Sequence, residues 1–302
     1  MSLKFTLNIK KFSQANEKLL DKGFFLRGTN GSDILLIHGL TGSPYEVGFV
    51  AKFLNRQGYS VTCPRLANHG GPIEILRDTP WPAFYQSVRD TFQQIKSRNP
   101  QGPIFVSGLS VGALFSLLLA YEFPQSTTGV SCLAPTVFYD GWNCTKWRFL
   151  LPLAYGTFLK KYFYFKEEPP YGIKNETIRG RVHEYYNQAK LEDTFQARQH
   201  GYAYYPVTLL YQHHLLNKHL VKKLSQIRTP VQLIQAYDDD MSSTRNSQFI
   251  YDRIQSEIKE IKMLYNSYHI ITADQERETV AKEMTRFFDQ LRSKFENKKK
   301  IP

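Results

Sequence analysis

Cysteine is scarce in this chain: Cys63, Cys132 and Cys144 are the only three in 302 residues. So few thiols, odd in number, rule out a disulfide framework, and the first two lie in expected core strands where a thiol behaves as a small hydrophobe. Neither a C-x-x-C pair nor helix-spaced histidines are present, so no metal and no cofactor is expected, and a reducing, cytoplasmic setting fits. Long apolar runs are missing too. Polar residues interrupt every apolar stretch after Met1, and the most membrane-like one, residues 150–159, is too short to span a bilayer and contains Pro152 and Gly156. No signal peptide and no integral membrane association are expected, and the sequons at Asn143 and Asn175 then carry no glycan. Acidic residues are outnumbered 27 to 39, giving a net charge of +12. The positive residues are dispersed, no aromatic-basic module accompanies them, and the lysines at 298–300 read as a frayed tail. Nucleic acid is therefore not an expected partner; the plain reading is a basic, solvated surface, with weak surface attraction to anionic lipid or acidic substrates as the alternative.

What the chain does have is a five-residue turn between two apolar segments. Residues 103–107 (PIFVS) read as a buried strand and residues 113–120 (ALFSLLLA) as a helix apolar on every face. Between them, Gly108-Leu109-Ser110-Val111-Gly112 is a G-x-S-x-G sequence in the strand–turn–helix context that exposes the serine on a sharp turn. A serine hydroxyl is a weak nucleophile at neutral pH, so this reading demands a base and an acid downstream, in the order serine, acid, histidine.

Two late strands supply them. Residues 230–236 (PVQLIQA) run into Tyr237-Asp238-Asp239-Asp240-Met241, and residues 261–265 (IKMLY) into Asn266-Ser267-Tyr268-His269. Groups beyond the C-terminal ends of parallel strands are where open α/β sheets place function. Of eight histidines, His269 alone follows the acid candidates, whereas His213 and His214 fall in an expected helix as surface or packing residues. Asp239 is taken as the acid that orients the imidazole; Asp238 and Asp240 have the plainer alternative of solvating and turning the loop. For the oxyanion, one backbone donor is expected on Val111 and the other on Leu40, in the glycine-bearing loop His38-Gly39-Leu40-Thr41-Gly42-Ser43. A helix is expected to start at once, with Ser43 as N-cap, Pro44 at the first position, Glu46 closing a capping box and Gly58 ending it.

From residue 34 onward, strand and helix patterns alternate, which implies a mostly parallel sheet covered on both faces. The last helix carries Val280, Met284, Phe287, Phe288, Leu291 and Phe295 in register. The alternation breaks between Pro135 and Pro206. The expected division is a core of residues 1–134 and 206–302 with residues 135–205 as an inserted lid. Phe138, Trp142, Trp147, Phe149, Leu150 and Leu153 are its candidates for lining an apolar acyl pocket.

Together these segments resemble the α/β-hydrolase superfamily, and within it the lidded bacterial carboxylesterases and monoacylglycerol lipases, from about Gly31 to Leu291. The most specific points are His38-Gly39-Leu40-Thr41-Gly42, residues 64–70 (PRLANHG), the Ser110 turn, residues 235–241 (QAYDDDM), and His269-Ile270-Ile271-Thr272 with Asp274. The resemblance implies an α/β-hydrolase fold and supports Asp239 over its neighbours, and Leu40 and Val111 as oxyanion donors. Ala113 stands where such esterases usually have a second glycine, and Asn68 replaces the more usual glycine before His69-Gly70. The expected activity is cofactor-independent cleavage of a small-molecule ester with an apolar acyl group, through an acyl-serine. A thioesterase or acyltransferase would use the same three side chains. A non-catalytic protein holding an apolar ligand or partner is the alternative of another kind.

Overall fold

A computed structural model describes residues 23–144, 150–189, 201–202 and 204–300. Seven strands form the main sheet: β1 (Gly23–Leu26), β2 (Asp33–Ile37), β3 (Ser60–Pro64), β4 (Ile104–Leu109), β5 (Gly129–Leu133), β8 (Val231–Ala236) and β9 (Lys259–Leu264). The order is β1-β3-β2-β4-β5-β8-β9. β1 is antiparallel to β3, and every other neighbouring pair is parallel. β6 (Tyr164–Lys166) and β7 (Tyr204–Pro206) pair antiparallel in a separate two-stranded ribbon. The sequence pattern misses β1, a four-residue antiparallel edge strand that no crossover helix announces.

The helices are α1 (Gly48–Arg56), α2 (Ile73–Asp78), α3 (Trp81–Arg98), α4 (Val111–Glu122), α5 (Leu151–Tyr155), α6 (Glu176–Ala189), α7 (Val207–Val221), α8 (Arg245–Arg253) and α9 (Arg277–Lys300). β2, β4, β5 and β8 are buried along their whole length because helices cover both faces. On one face Phe84, Val88 and Phe92 of α3 join Leu114 of α4 and Leu209 of α7. On the other, Val50 and Leu54 of α1 meet Met284, Phe287 and Phe288 of α9, with Phe288 stacked on Phe105 at 4.5 Å. α4 is buried at ten consecutive positions, 111–120, which is why its sequence shows no polar face.

Two local expectations need correction. The helix after the glycine loop begins later than its capping signals suggest: Pro44–Val47 is a 3-10 turn, and α1 starts at Gly48. Ser43 Oγ does accept a bond from Tyr45 N–H, but the Glu46 carboxylate turns away from it to Gly39, so no capping box forms. The last helix runs through Lys300 instead of fraying before it. Among the described residues no helix is long and apolar enough to cross a membrane.

Candidate active site

Ser110 follows β4 and is the residue at which strand turns into helix α4. Its backbone sits at φ 57°, ψ −115°, a conformation costly for a side-chain-bearing residue. The flanking glycines make it possible. A Cβ on Gly108 would lie 2.3 Å from the Gly112 carbonyl carbon, and one on Gly112 would lie 2.5 Å from the Ile37 carbonyl oxygen. β4 and α4 therefore close onto each other and onto β2 only with bare backbone at both positions. The Ser110 N–H donates to Leu133 O at 2.8 Å, tying the turn to β5.

His269 and Asp239 meet across the loops that follow β9 and β8. The imidazole Nδ1 is 2.9 Å from Asp239 Oδ2 and 3.1 Å from Oδ1, and both residues are buried. Asp239 accepts four further bonds. The Met241 and Ser242 N–H groups donate to Oδ1, each at 2.8 Å, while Gln235 Nε2 and Ser242 Oγ donate to Oδ2. Such a carboxylate is held in one orientation, and it draws the ring proton to Nδ1, leaving Nε2 with its lone pair. Burial pulls the His269 pKa down, but the charge and hydrogen bond of Asp239, helped by Asp240 and Glu46, more than offset it, so the net shift is upward.

The three aspartates thus divide. Asp238 is half-exposed and pairs with Lys174 Nζ at 3.2 Å. Asp240 is buried, and its oxygens receive the His269 N–H at 3.2 Å and the Gly172 N–H at 3.1 Å. Instead of solvating the loop, Asp240 fixes the histidine backbone; burial raises its pKa.

The loop after β2 is clamped from three sides. His38 Nδ1 donates to Gly39 O at 2.8 Å while its Nε2 accepts the Leu66 N–H at 3.1 Å; His69 Nε2 donates to Leu40 O at 2.7 Å. Both rings are buried, and burial first of all keeps their pKa values low, so they act as neutral braces; the two bonds of His38 fix its tautomer, while His69 also faces Ala67 O with Nδ1 at 3.2 Å. From the third side, Glu46 Oε2 accepts the Gly39 N–H at 3.0 Å. With the Gly39 carbonyl anchored to His38, the Leu40 N–H of that same planar peptide points the opposite way. No hydrogen bond of the Leu40 or Val111 N–H occurs among the described residues. Sequence reasoning quotes His38 and His69 inside motifs but gives them no role. The Glu46 bond has no signal beyond a spacing that also fits a helix cap.

A cavity of about 810 Å³ lies over these groups, lined by Leu40, Ser110 and His269 and by Tyr139, Leu151 and Phe165 from the chain between β5 and α7. Four of the six candidates for this role, Phe138, Trp142, Leu150 and Leu153, are not among its walls. Phe138 packs edge-on against Phe249, Trp142 is 57% exposed and donates to Asp238 O, and Leu150 and Leu153 face solvent. Trp147 and Phe149 lie outside the described residues. An apolar stretch identifies a segment that buries something; which of its side chains turn inward depends on the local backbone path. Among the described residues, Ser110 Oγ makes no hydrogen bond to His269. It bonds instead to Thr136 Oγ1, at 3.0 Å.

A serine at a strained strand-to-helix turn, beside a buried aspartate–histidine pair at the C-terminal edge of a mostly parallel sheet, defines the α/β-hydrolase fold. Comparison with known proteins narrows this class: residues 30–276 match the family described as Hydrolase_4, serine aminopeptidase S33, and the chain belongs to it. It is 27% identical over 275 residues to a carboxylesterase of Bacillus subtilis (strain 168), covering 89% of this chain and 97% of that one. To a thermostable monoacylglycerol lipase of Bacillus sp. (strain H-257) it is 26% identical over 255 residues, covering 84% and 89%. The solved structure of a metagenome-derived lipolytic enzyme shares the fold with a TM-score of 0.73 at 21% identity, over 89% of this chain and 97% of that one.

Proposed function

We infer that this protein is a serine hydrolase of carboxylic esters that works through an acyl-serine intermediate. The observation that carries the reading is the buried Asp239–His269 hydrogen bond, opening onto the same cavity as a serine held at positive φ. Ser110 attacks the ester carbonyl while His269 Nε2 removes its proton; Asp239 holds the tautomer and stabilises the imidazolium. The oxyanion forms between the N–H groups of Leu40 and Val111. His269 then returns the proton to the leaving alcohol, and water, activated by the same nitrogen, cleaves the acyl-enzyme.

A cavity of this size and mixed lining suits a small-molecule ester with an apolar acyl group. Residues 135–205 form the lid over it, a role supported by Leu151, Phe165 and Val182 at its wall. Glu46, Glu167, Glu168 and Asp240 face Lys166 and Arg181 around the cavity, and even with burial raising the Glu46 and Glu167 pKa values to about 7 the lining carries no excess of positive charge, which favours neutral esters over thioesters of a polyanionic carrier. Exposed Leu153, Phe158, Tyr162 and Phe163, with Lys160 and Lys161 among them, support weak attraction of the lid to an anionic lipid surface. The cytoplasmic placement is supported by Cys63, Cys132 and Cys144 forming no disulfide with one another. The test is turnover of a p-nitrophenyl ester by Ser110→Ala, together with labelling by a fluorophosphonate. Loss of both supports the assignment; turnover equal to that of the parent protein rejects it.

A further inference from the structure

The Ser110 hydroxyl contacts Thr136, and no hydrogen bond joins it to His269 among the described residues. Thr136 Oγ1 lies 3.0 Å from Ser110 Oγ and 3.3 Å from Ala134 O. Either hydroxyl can be the donor of the 3.0 Å contact; Ala134 O, which only accepts, gives the threonine proton a place to go and leaves its lone pairs for the serine. In that arrangement Ser110 donates to Thr136, and the proton committed there is the one His269 would take.

Thr136 is not free to drift. It is fully buried in a strip of chain that leaves β5 through Ala134, at φ 42°, and the Ala134 N–H is tied to Ile234 O at 2.8 Å. The Thr136 carbonyl accepts from His213 Nε2 at 2.7 Å, and burial lowers the His213 pKa to about 4, so this brace is a neutral donor. The next two amides, Val137 and Phe138, both donate to Asn246 Oδ1, at 2.8 and 2.7 Å, and Val137 O accepts from Asn217 Nδ2 at 2.8 Å. Two helices and a strand thus hold the threonine hydroxyl at a fixed point beside the Ser110 side chain, which has a single side-chain torsion with three staggered wells.

We propose that Thr136 is a positioning residue that parks the Ser110 hydroxyl off the reaction path, and that reaction requires its rotation from Thr136 to His269. The inference rests on the assignment of Ser110 as nucleophile and His269 as base. It accounts for the absence of the serine–histidine bond while Asp239 and His269 are already joined. His213 gains a role as well, as the brace that keeps the threonine in place.

The second-order rate of Ser110 labelling by a fluorophosphonate, with no substrate present, reads the fraction of reactive rotamer directly. Thr136→Val keeps the shape and removes the acceptor, and Thr136→Ser keeps the hydroxyl. Labelling of T136V is expected to be about three- to tenfold faster than that of the parent protein, the factor by which one ordinary competing hydrogen bond biases a rotamer. T136S is expected to label at the parent rate. The acid limb of the labelling rate against pH should not move, because the Asp239–His269 pair is untouched. Should T136V fail to fold, Thr136→Ala removes the same acceptor and is expected to accelerate likewise. A folded T136V or T136A labelled no faster than the parent overturns the proposal, as does T136S matching their acceleration. Absence of labelling in the parent protein would instead overturn the serine assignment itself.

Discussion

Replacing Asp239 by asparagine exchanges one oxygen for an NH2 group, and the bonds around the carboxylate determine where that group must go. Oδ1 receives two backbone amides, of Met241 and Ser242, each at 2.8 Å, and neither peptide can turn away. The asparagine must therefore keep its carbonyl there and place its NH2 where Oδ2 was, facing Gln235 Nε2 at 2.8 Å and His269 Nδ1 at 2.9 Å. Gln235 cannot flip to help, because its Oε1 accepts Ser247 Oγ and its Nε2 also donates to Ser242 O. The imidazole can respond by moving its proton to Nε2, which removes the lone pair that takes the Ser110 proton. A wrong tautomer of this kind lowers kcat by roughly 10⁴. That is about 5 kcal/mol at ~1.4 kcal/mol per decade. The fold should lose a further ~1–3 kcal/mol, because one Gln235 N–H is left unsatisfied in a buried site. The assay is kcat and KM on p-nitrophenyl butyrate beside a thermal melt, with KM expected to be unchanged. An Asp239→Asn variant that keeps more than about a hundredth of the parent kcat would refute the reasoning.

Other expectations follow from the same geometry. Because the net shift of His269 is upward, the acid limb of kcat/KM should have its midpoint above the ordinary histidine value of ~6.5. Glu46→Gln removes a charge that helps hold the imidazolium proton, so it should move that limb toward lower pH; kcat/KM measured from about pH 5 to about pH 9 decides both points. Burial raises the Glu46 pKa from 4.5 to about 7, so the folded chain binds this proton more tightly than the unfolded one. Its contribution to stability therefore falls as pH rises through that interval. Glu46→Gln, which keeps an oxygen for the Gly39 N–H, should raise Tm at about pH 8 and leave it unchanged near pH 4. In Gly42→Ala the new Cβ would lie 1.9–2.1 Å from the Glu46 carboxylate atoms and push that side chain off Gly39. The oxyanion loop loosens, and kcat should fall by about tenfold, less than the 10²–10³ for losing a donor outright. Tm should drop less than in Gly112→Ala, where the new Cβ meets the Ile37 and His38 carbonyls and α4 must lift from β2, at a cost of ~1–3 kcal/mol.

Ester cleavage by Ser110 can be argued from the sequence because its signals are local and steric. Two glycines around one serine, between a buried strand and a buried helix, leave few other backbone paths. The parallel sheet is equally legible, since strands buried on both faces must read as apolar runs. The division of labour among Asp238, Asp239 and Asp240 is not legible, because three identical side chains differ only in which way a loop turns each of them. The Glu46 carboxylate on Gly39 is hidden for a similar reason: its spacing also fits a helix cap, and packing chose the other partner.

By itself, then, the sequence determined the sheet, the serine turn and the order of the groups after it, through chain stiffness and the exclusion of Cβ atoms over a few residues. Only the tertiary structure decided that the Thr136 hydroxyl lies beside that of Ser110. β5 lies parallel beside β4 with Leu133 opposite Leu109, which brings the chain after each strand into hydrogen-bonding range. No local pattern encodes a neighbour set by the register of two strands and braced by a histidine from a third element.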